Sequence, residues 1–412
     1  MCIEQLPLET LMDILIKTDG ITLGKCRRVC KRWKEVIDKM DHLWAKMCRT
    51  EFEYSSFIAR NKSGRDCRWY HLYRNLTTWE IVQSFDIRIR DFYKFAIHDK
   101  HHALPVDFGV LSLRETRGLV VYDMHTLRHI PAVVPEKDCM KVSHNDYNTA
   151  LLLKSGILLQ RTVENLTEMS EAFFSNAKSF VLSDKGIYFF KDRDVFVCDL
   201  MAKNLESKLM LHCDYDIKQL NYFKDKVYIF TTCGKIVSID KKGTVTTKAI
   251  NIPPEWMRQI KHVQAVDDRN FVCYSRNLFK IETDKYQHLY LEFPPITALF
   301  FYGDFVLIAT RAGEILLYRL SSQQANIKPI FEKLAELPEG RFAVQLEVCE
   351  RKVGPVIIAA TFFDIIILEI DFFPEDRERR SRFTNNKLFL YKRLMRLRDR
   401  LRVDVPSVNA IA

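Results

Sequence analysis

Val227-Tyr228-Ile229-Phe230-Thr231-Thr232-Cys233-Gly234-Lys235-Ile236-Val237-Ser238-Ile239-Asp240 is an apolar run, a short turn, a second apolar run and a closing acid. The runs are β-branched and aromatic and too short for helices, so they predict two antiparallel strands. The same unit recurs: 110–113 turns into 118–123, 151–153 into 156–159, 187–190 into 195–199, 271–274 into 278–282, 305–308 into 314–318 and 356–359 into 365–368. First strands begin at 110, 151, 187, 227, 271, 305 and 356, a mean step of 41 residues. A four-stranded propeller blade uses about 40–45. Nearly every hairpin position is apolar, as in inner strands covered on both faces by neighbouring blades. Residues 85–374 are therefore expected to form a closed, all-β propeller, most simply seven-bladed; the irregular steps of 34 and 51 leave room for six or eight. Ahead of the first unit, Phe85-Asp86-Ile87-Arg88-Ile89-Arg90 alternates apolar and polar. As the outer strand of the last blade it would close the ring and remove its free edges.

The apolar run 353–373 has the length of a membrane span. Asp364 sits at its centre and Glu369 follows, each costly in hydrocarbon, so two buried strands joined near Phe363-Asp364 account for it better. Beyond 374 a charged linker leads into 375–412, where Leu390, Leu394, Leu397 and Leu401 recur at helical spacing among Lys392, Arg393, Arg396, Arg398, Arg400 and Arg402. That is a basic amphipathic tail, able to pack on its own domain or to touch nucleic acid, anionic lipid or an acidic partner.

The chain's net charge of +10 over 412 residues belongs to its ends. Residues 81–374 carry 37 basic and 37 acidic side chains, against 15 and 11 in 1–80 and 11 and 5 in 375–412. A neutral middle weakens the nucleic-acid reading that a basic chain invites. Near-average apolar content of 47% excludes a disordered or fibrous chain. The N-terminus has no basic stretch followed by an apolar run, and the eleven cysteines contain no Cys-x-x-Cys pair. Both features are those expected in a reducing compartment, the cytoplasm or the nucleus.

Residues 1–50 read as three short helices. Leu11, Ile14 and Leu15 follow Pro7 at helical spacing, and Thr18-Asp19-Gly20 ends that helix. Thr22 is placed to cap a second, whose stripe runs Cys26, Val29, Cys30, Trp33, Val36, Ile37, Met40. Asp41 is placed to cap a third carrying Leu43, Trp44, Met47 and Cys48. So small a unit buries too little surface to stand alone. Its apolar excess implies either a partner or docking on the rest of the chain, and the pattern alone does not choose.

Leu6-Pro7, Leu11, Ile14-Leu15, Leu23, Cys26-Arg27, Val29-Cys30-Lys31-Arg32-Trp33 and Leu43-Trp44 resemble an F-box in residue type, order and spacing. F-box proteins use this motif to bind the Skp adaptor of a cullin-RING (SCF) ubiquitin ligase. The resemblance implies an adaptor-facing surface made by Leu6, Pro7, Leu11, Ile14, Leu15 and Val29, with Trp33 and Trp44 as packing. Residues 51–84, with Trp69, Tyr70, Leu72, Tyr73, Leu76 and Trp79, are similar to the helical linker that joins F-box and repeats in F-box/WD-repeat proteins. The hairpins resemble degraded WD repeats: Tyr122-Asp123, Cys198-Asp199, Ile239-Asp240 and Ile281-Glu282 stand where Trp-Asp would, without a Gly-His signature.

No phosphate loop, nucleophile elbow or zinc-protease motif is present, so neither an enzyme nor a cofactor is expected. His98, Asp99, His101 and His102 lie close together in sequence, but a surface loop explains them better than a metal site. Cys26 and Cys30 lack further ligands and read as core cysteines. The hairpin turns carry Arg114, Lys154, Lys191, Arg276 and Arg311 in five of seven units, with Asp364 the acidic exception and Cys233-Gly234 in the remaining turn. Brought together on one face, they would attract an acidic or phosphorylated protein segment, although hairpin tips are commonly charged. The expectation is a non-catalytic substrate receptor of an SCF ligase; the alternative is a propeller scaffold that assembles proteins without ubiquitin transfer.

Overall fold

The computed structural model describes residues 6–64, 67–95, 102–103, 105–115, 118–130, 139–145, 147–162, 169–284, 287–290, 292–320 and 331–370. Seven four-stranded antiparallel sheets make up the bulk of the protein. Blades 1 to 6 span 102–130, 141–175, 179–212, 217–249, 262–290 and 296–336, each with strands in chain order. Blade 7 takes three strands from 345–370 and its fourth, Ile87–Lys94, from ahead of the ring. Ile87 pairs with Ile370 and Ile89 with Leu368, and a bulge at Asp91/Tyr93 precedes the last pairs. The ring is thus closed by hydrogen bonds between its two ends, as the alternation at 85–90 implied.

The apolar hairpins are the second and third strands of each blade, not the strands nearest the axis. First strands of neighbouring blades approach one another instead. The middle strands are sandwiched between blades: Phe305–Thr310 and Gly354–Ala360 are buried at every position. Outer strands face water, as in Val245–Ala249. The run 353–373 resolves into strands Gly354–Ala360 and Asp364–Ile370. No helix among the described residues is long and apolar enough to cross a membrane. The recurrent acid has a local cause. Asp123, Asp199 and Asp240 end third strands, and each accepts the backbone N–H two residues on, at 2.8 Å, so it shapes the turn into the fourth strand. Glu282 departs from this: its carboxylate takes Lys248 at 2.5 Å.

Among the described residues six α-helices precede the ring: α1 (Leu8–Ile16), α2 (Gly20–Cys26), α3 (Lys31–Lys39), α4 (Asp41–Glu51), α5 (Glu53–Asn61) and α6 (Trp69–Glu80). The single helix expected after Thr22 is two, because Cys30 is extended (φ −154°) and caps α3 through its Sγ. Asp19 rather than Thr22 caps α2, accepting Thr22 N–H at 2.7 Å. Asp41 lies in the first turn of α4, and its carboxylate instead accepts the Trp69 N–H that opens α6, at 2.9 Å. Gly20 is required by packing: a Cβ there would lie 2.2 Å from the Tyr73 ring.

Leu11, Leu15, Leu23, Ile37, Trp44, Tyr73 and Trp79 share one apolar cluster with Tyr302, Phe305, Leu307 and Ile357 of blades 6 and 7. The short helices therefore complete their interior within this chain. In a blade, the turns between strands 1–2 and 3–4 emerge on one face and the 2–3 turns on the other. Every helix-to-ring turn contact falls on the first kind. Asn75 donates to Arg351 O (2.9 Å), Gly64 N–H to His125 Nε2 (2.9 Å), and Ser55 Oγ to Tyr302 O (3.0 Å). Glu53 meets Lys224 and Tyr54 meets Asp284. The helices cover one face of the propeller and leave the 2–3 turns on the opposite face.

Candidate functional site

The F-box-like helices present an apolar surface, but not the one expected. Leu11 and Leu15 are fully buried and cannot face an adaptor, because residues four apart stack on one side of α1 and that side is turned inward. Ile14, at the edge of that stripe, is 46% exposed. Pro7 and Val29 are exposed and Leu6 is half-buried. The Leu6 carbonyl accepts from Arg32 at 2.6 Å, tying the chain ahead of α1 to α3. Leu8, Ile16 and Ile21 are also exposed. A helical wheel keeps Leu11, Ile14 and Leu15 on one stripe, so their different burial is set by packing and not by spacing; Ile21 carries no sequence signal. Trp44 is buried and donates to Ile37 O at 3.3 Å, while Trp33 is half-buried against the same core. Arg27 ties α2 to α3 through Asp38 at 2.5 Å and lies over the Tyr70 ring at 4.0 Å.

On the opposite face, Lys154, Arg276 and Arg311 are exposed at the 2–3 turns of blades 2, 5 and 6. Arg114 and Lys191 stand at the same end of blades 1 and 3 but are half-buried, and Lys191 Nζ lies 5.3 Å from the centre of the Phe196 ring. Topology places all five on one face. Blades 4 and 7 interrupt the series, and around blade 3 the charge is balanced: Lys178 pairs with Asp192 (2.6 Å) and Arg193 with Asp216 (2.8 Å). Asp364, the acidic exception, is not a surface charge. It is 4% exposed, and its carboxylate is taken by Thr361 (2.6 Å) and Arg341. What blade 7 offers at that turn is Phe362 and Phe363, 66% and 71% exposed. Sequence reasoning placed the turn here but not the exposure of the two rings, since aromatics between two apolar strands read as core.

Helix residues stand over the axis on the helical side. Phe57, Ile58, Asn61 and Lys62 cap a cavity of about 360 Å³ lined by Ser143, Gln219, Gln264 and Glu347 from first strands. Lys62 Nζ donates to Val106 O (2.5 Å) and meets Glu347 at 2.8 Å. Burial pushes the Glu347 carboxyl up against the pull of Lys62. Lys141 is pushed down to about 8 by burial and donates to Phe180 O at 2.7 Å. Asn221 and Gln264 likewise bond the backbone of the next blade, at 2.8 Å and 2.5 Å. These polar groups serve the ring itself. Among the described residues no group of three or more His, Cys, Asp and Glu could hold a metal ion. His98, Asp99 and His101, the side chain of His102, and the basic tail lie outside the described residues. Cys26 and Cys30 are half-buried and unlinked, with Cys30 a helix cap rather than core.

Residues 3–50 match the F-box-like family. Solved structures similar to the chain include Kluyveromyces lactis Hsv2, at 12% identity and a TM-score of 0.44, covering 66% of this chain and 97% of that one. The same protein with complete loop 6CD matches at 12% identity and a TM-score of 0.43, covering 64% and 94%. No curated protein matches the sequence. An F-box-like module joined to a seven-bladed β-propeller fits an F-box substrate receptor and is typical of non-catalytic adaptor and receptor proteins.

Proposed function

We propose that this protein is the substrate-recognition subunit of an SCF ubiquitin ligase, working in the cytoplasm or nucleus. The F-box-like helices bind a Skp-family adaptor, and through it a cullin-RING ligase, while the propeller binds the target protein. The observation that carries this reading is that Pro7, Leu8, Ile14, Ile16, Ile21 and Val29 stay exposed on the F-box-like helices although these helices share a filled core with blades 6 and 7. Residual apolar surface on an otherwise satisfied module is what a partner covers. The shared core with the ring fixes the distance between the two binding faces. Catalysis then needs no chemistry from this chain, because holding two reactants together raises their effective concentration. Arg114, Lys154, Lys191, Arg276 and Arg311 are the proposed contacts for an acidic or phosphorylated substrate segment.

A scaffold without ubiquitin transfer is the competing reading. Affinity purification of the wild type and of Ile14→Asp/Val29→Asp separates the two. A receptor brings down a Skp adaptor and a cullin with the wild type and loses both with the variant; a scaffold brings down neither.

A further inference from the structure

The 2–3 turn of blade 7 is built to hold two aromatic side chains in water. Thr361 Oγ accepts the N–H groups of Phe363 and Asp364, both at 3.1 Å, and donates to the Asp364 carboxylate at 2.6 Å. The Thr361 N–H donates to Asp364 O at 2.8 Å, and Arg341 clamps Asp364 from the neighbouring loop. On the other side, Phe95 N–H donates to Phe363 O at 2.8 Å. A turn so fully bonded loses little freedom on binding, and exposed aromatics on a preorganised backbone are the residues that anchor interfaces.

Two further features surround the pair. Phe342, half-buried, meets the Phe362 ring edge-on at 5.7 Å and extends the apolar surface. Exposed Lys94 stands in register with Asp364. Arg311 occupies the adjoining turn of blade 6, whose Gly313 packs against the carbonyl of Arg341, the residue before Phe342. With the Asp364 charge buried and clamped, Lys94 and Arg311 flank the aromatics at this rim, and the half-exposed Asp91 is turned to Arg341 at 3.5 Å.

We infer that Phe362, Phe363 and Phe342 form the anchor subsite for a protein segment carrying a large apolar residue beside carboxylates or phosphates, with Lys94 and Arg311 receiving the acids. This rests on the receptor reading above and names the class of segment it takes. A protein segment is favoured over a lipid surface because Lys178–Asp192 and Arg193–Asp216 balance the charge around blade 3, so this face is not the continuous basic surface that draws an anionic membrane, whereas one short segment can use the cations of a single rim.

The test uses the full-length protein, immobilised, and three degenerate pools of short labelled peptides. The first fixes Phe between aspartates, the second replaces Phe by Ala, and the third replaces Asp by Lys. The wild type is expected to retain the first pool about tenfold over the others. Phe362→Ala/Phe363→Ala brings the first pool to the level of the second, with adaptor capture and melting temperature unchanged. Lys94→Glu, which leaves the aromatic pair intact, lowers retention of the first pool several-fold. Equal retention of all pools, or a preference that survives the Phe double variant, overturns the inference. So does sedimentation with phosphatidylserine vesicles that depends on the Phe pair. If no adaptor is captured while the Phe-dependent preference persists, the ligase reading fails and the subsite stands.

Discussion

Trp79 of α6 donates its indole N–H to Glu350 of blade 7 at 2.9 Å, in a site closed to solvent. Tyr302 of blade 6 donates to the same oxygen, and the other carboxylate oxygen has no partner among the described residues. One acid thus joins the helical layer to two blades.

Burial pushes the Glu350 carboxyl up. A carboxyl raised on folding contributes stability that is complete below its unfolded value, about 4.3, and is lost as pH climbs through the raised folded value. Glu350→Gln keeps an acceptor for both donors and removes that titration. Urea midpoints between pH 4 and pH 8 should fall more for the wild type than for the variant. Glu350→Ala should cost about 1–3 kcal/mol for each donor left unpaired.

Lys62 and Glu347 form a largely buried pair at the helical end of the axis. Lys62→Met strands the carboxylate and should cost about 3–5 kcal/mol in a denaturant titration. Adding Glu347→Leu should recover most of it, since apolar residues of similar volume replace such pairs at little cost.

Gly20→Ala forces a methyl against the Tyr73 ring, whose hydroxyl is held by Glu51 at 2.6 Å. The cost should be about 1–3 kcal/mol, read as a lower melting temperature.

Ile14 and Leu15 are neighbours with opposite fates. Ile14→Asp should change stability by no more than about 0.5 kcal/mol yet abolish adaptor capture. Leu15→Ala should cost about 2–5 kcal/mol by opening a cavity in the shared core. Melting curves and adaptor pull-downs on the two proteins read both outcomes.

Arg276→Glu/Arg311→Glu should reduce capture of an acidic substrate segment by tenfold or more while leaving adaptor binding intact, measured on one preparation. Unaltered capture would remove the anionic reading of that face.

The ring was legible because strands buried on both sides carry nothing but apolar residues, and because Ile87 and Ile89 alternate with arginines on an outer strand. Strands nearest the axis were not legible: Ile217–Phe223 mixes Lys218, Gln219 and Asn221 with apolar residues, since these reach the neighbouring blade or line a polar channel. The F-box-like motif was legible as a pattern, but a motif does not say which of its leucines face inward. Leu11 and Leu15 are hidden in a core shared with residues much further along the chain, among them Trp44 and Tyr73. The turn near Phe363-Asp364 was legible, but the exposure of Phe362 and Phe363 was not, because aromatics flanked by apolar strands read as core.

The clasp between Ile87–Lys94 and Asp364–Ile370 sets an order of events for the nascent chain. Synthesis delivers one half of that pairing first and the other last, so the newborn protein waits with an open ribbon until translation of the ring is complete. A message truncated anywhere within the last blade yields a product whose ends cannot meet, exposing edges that seek strands in other molecules.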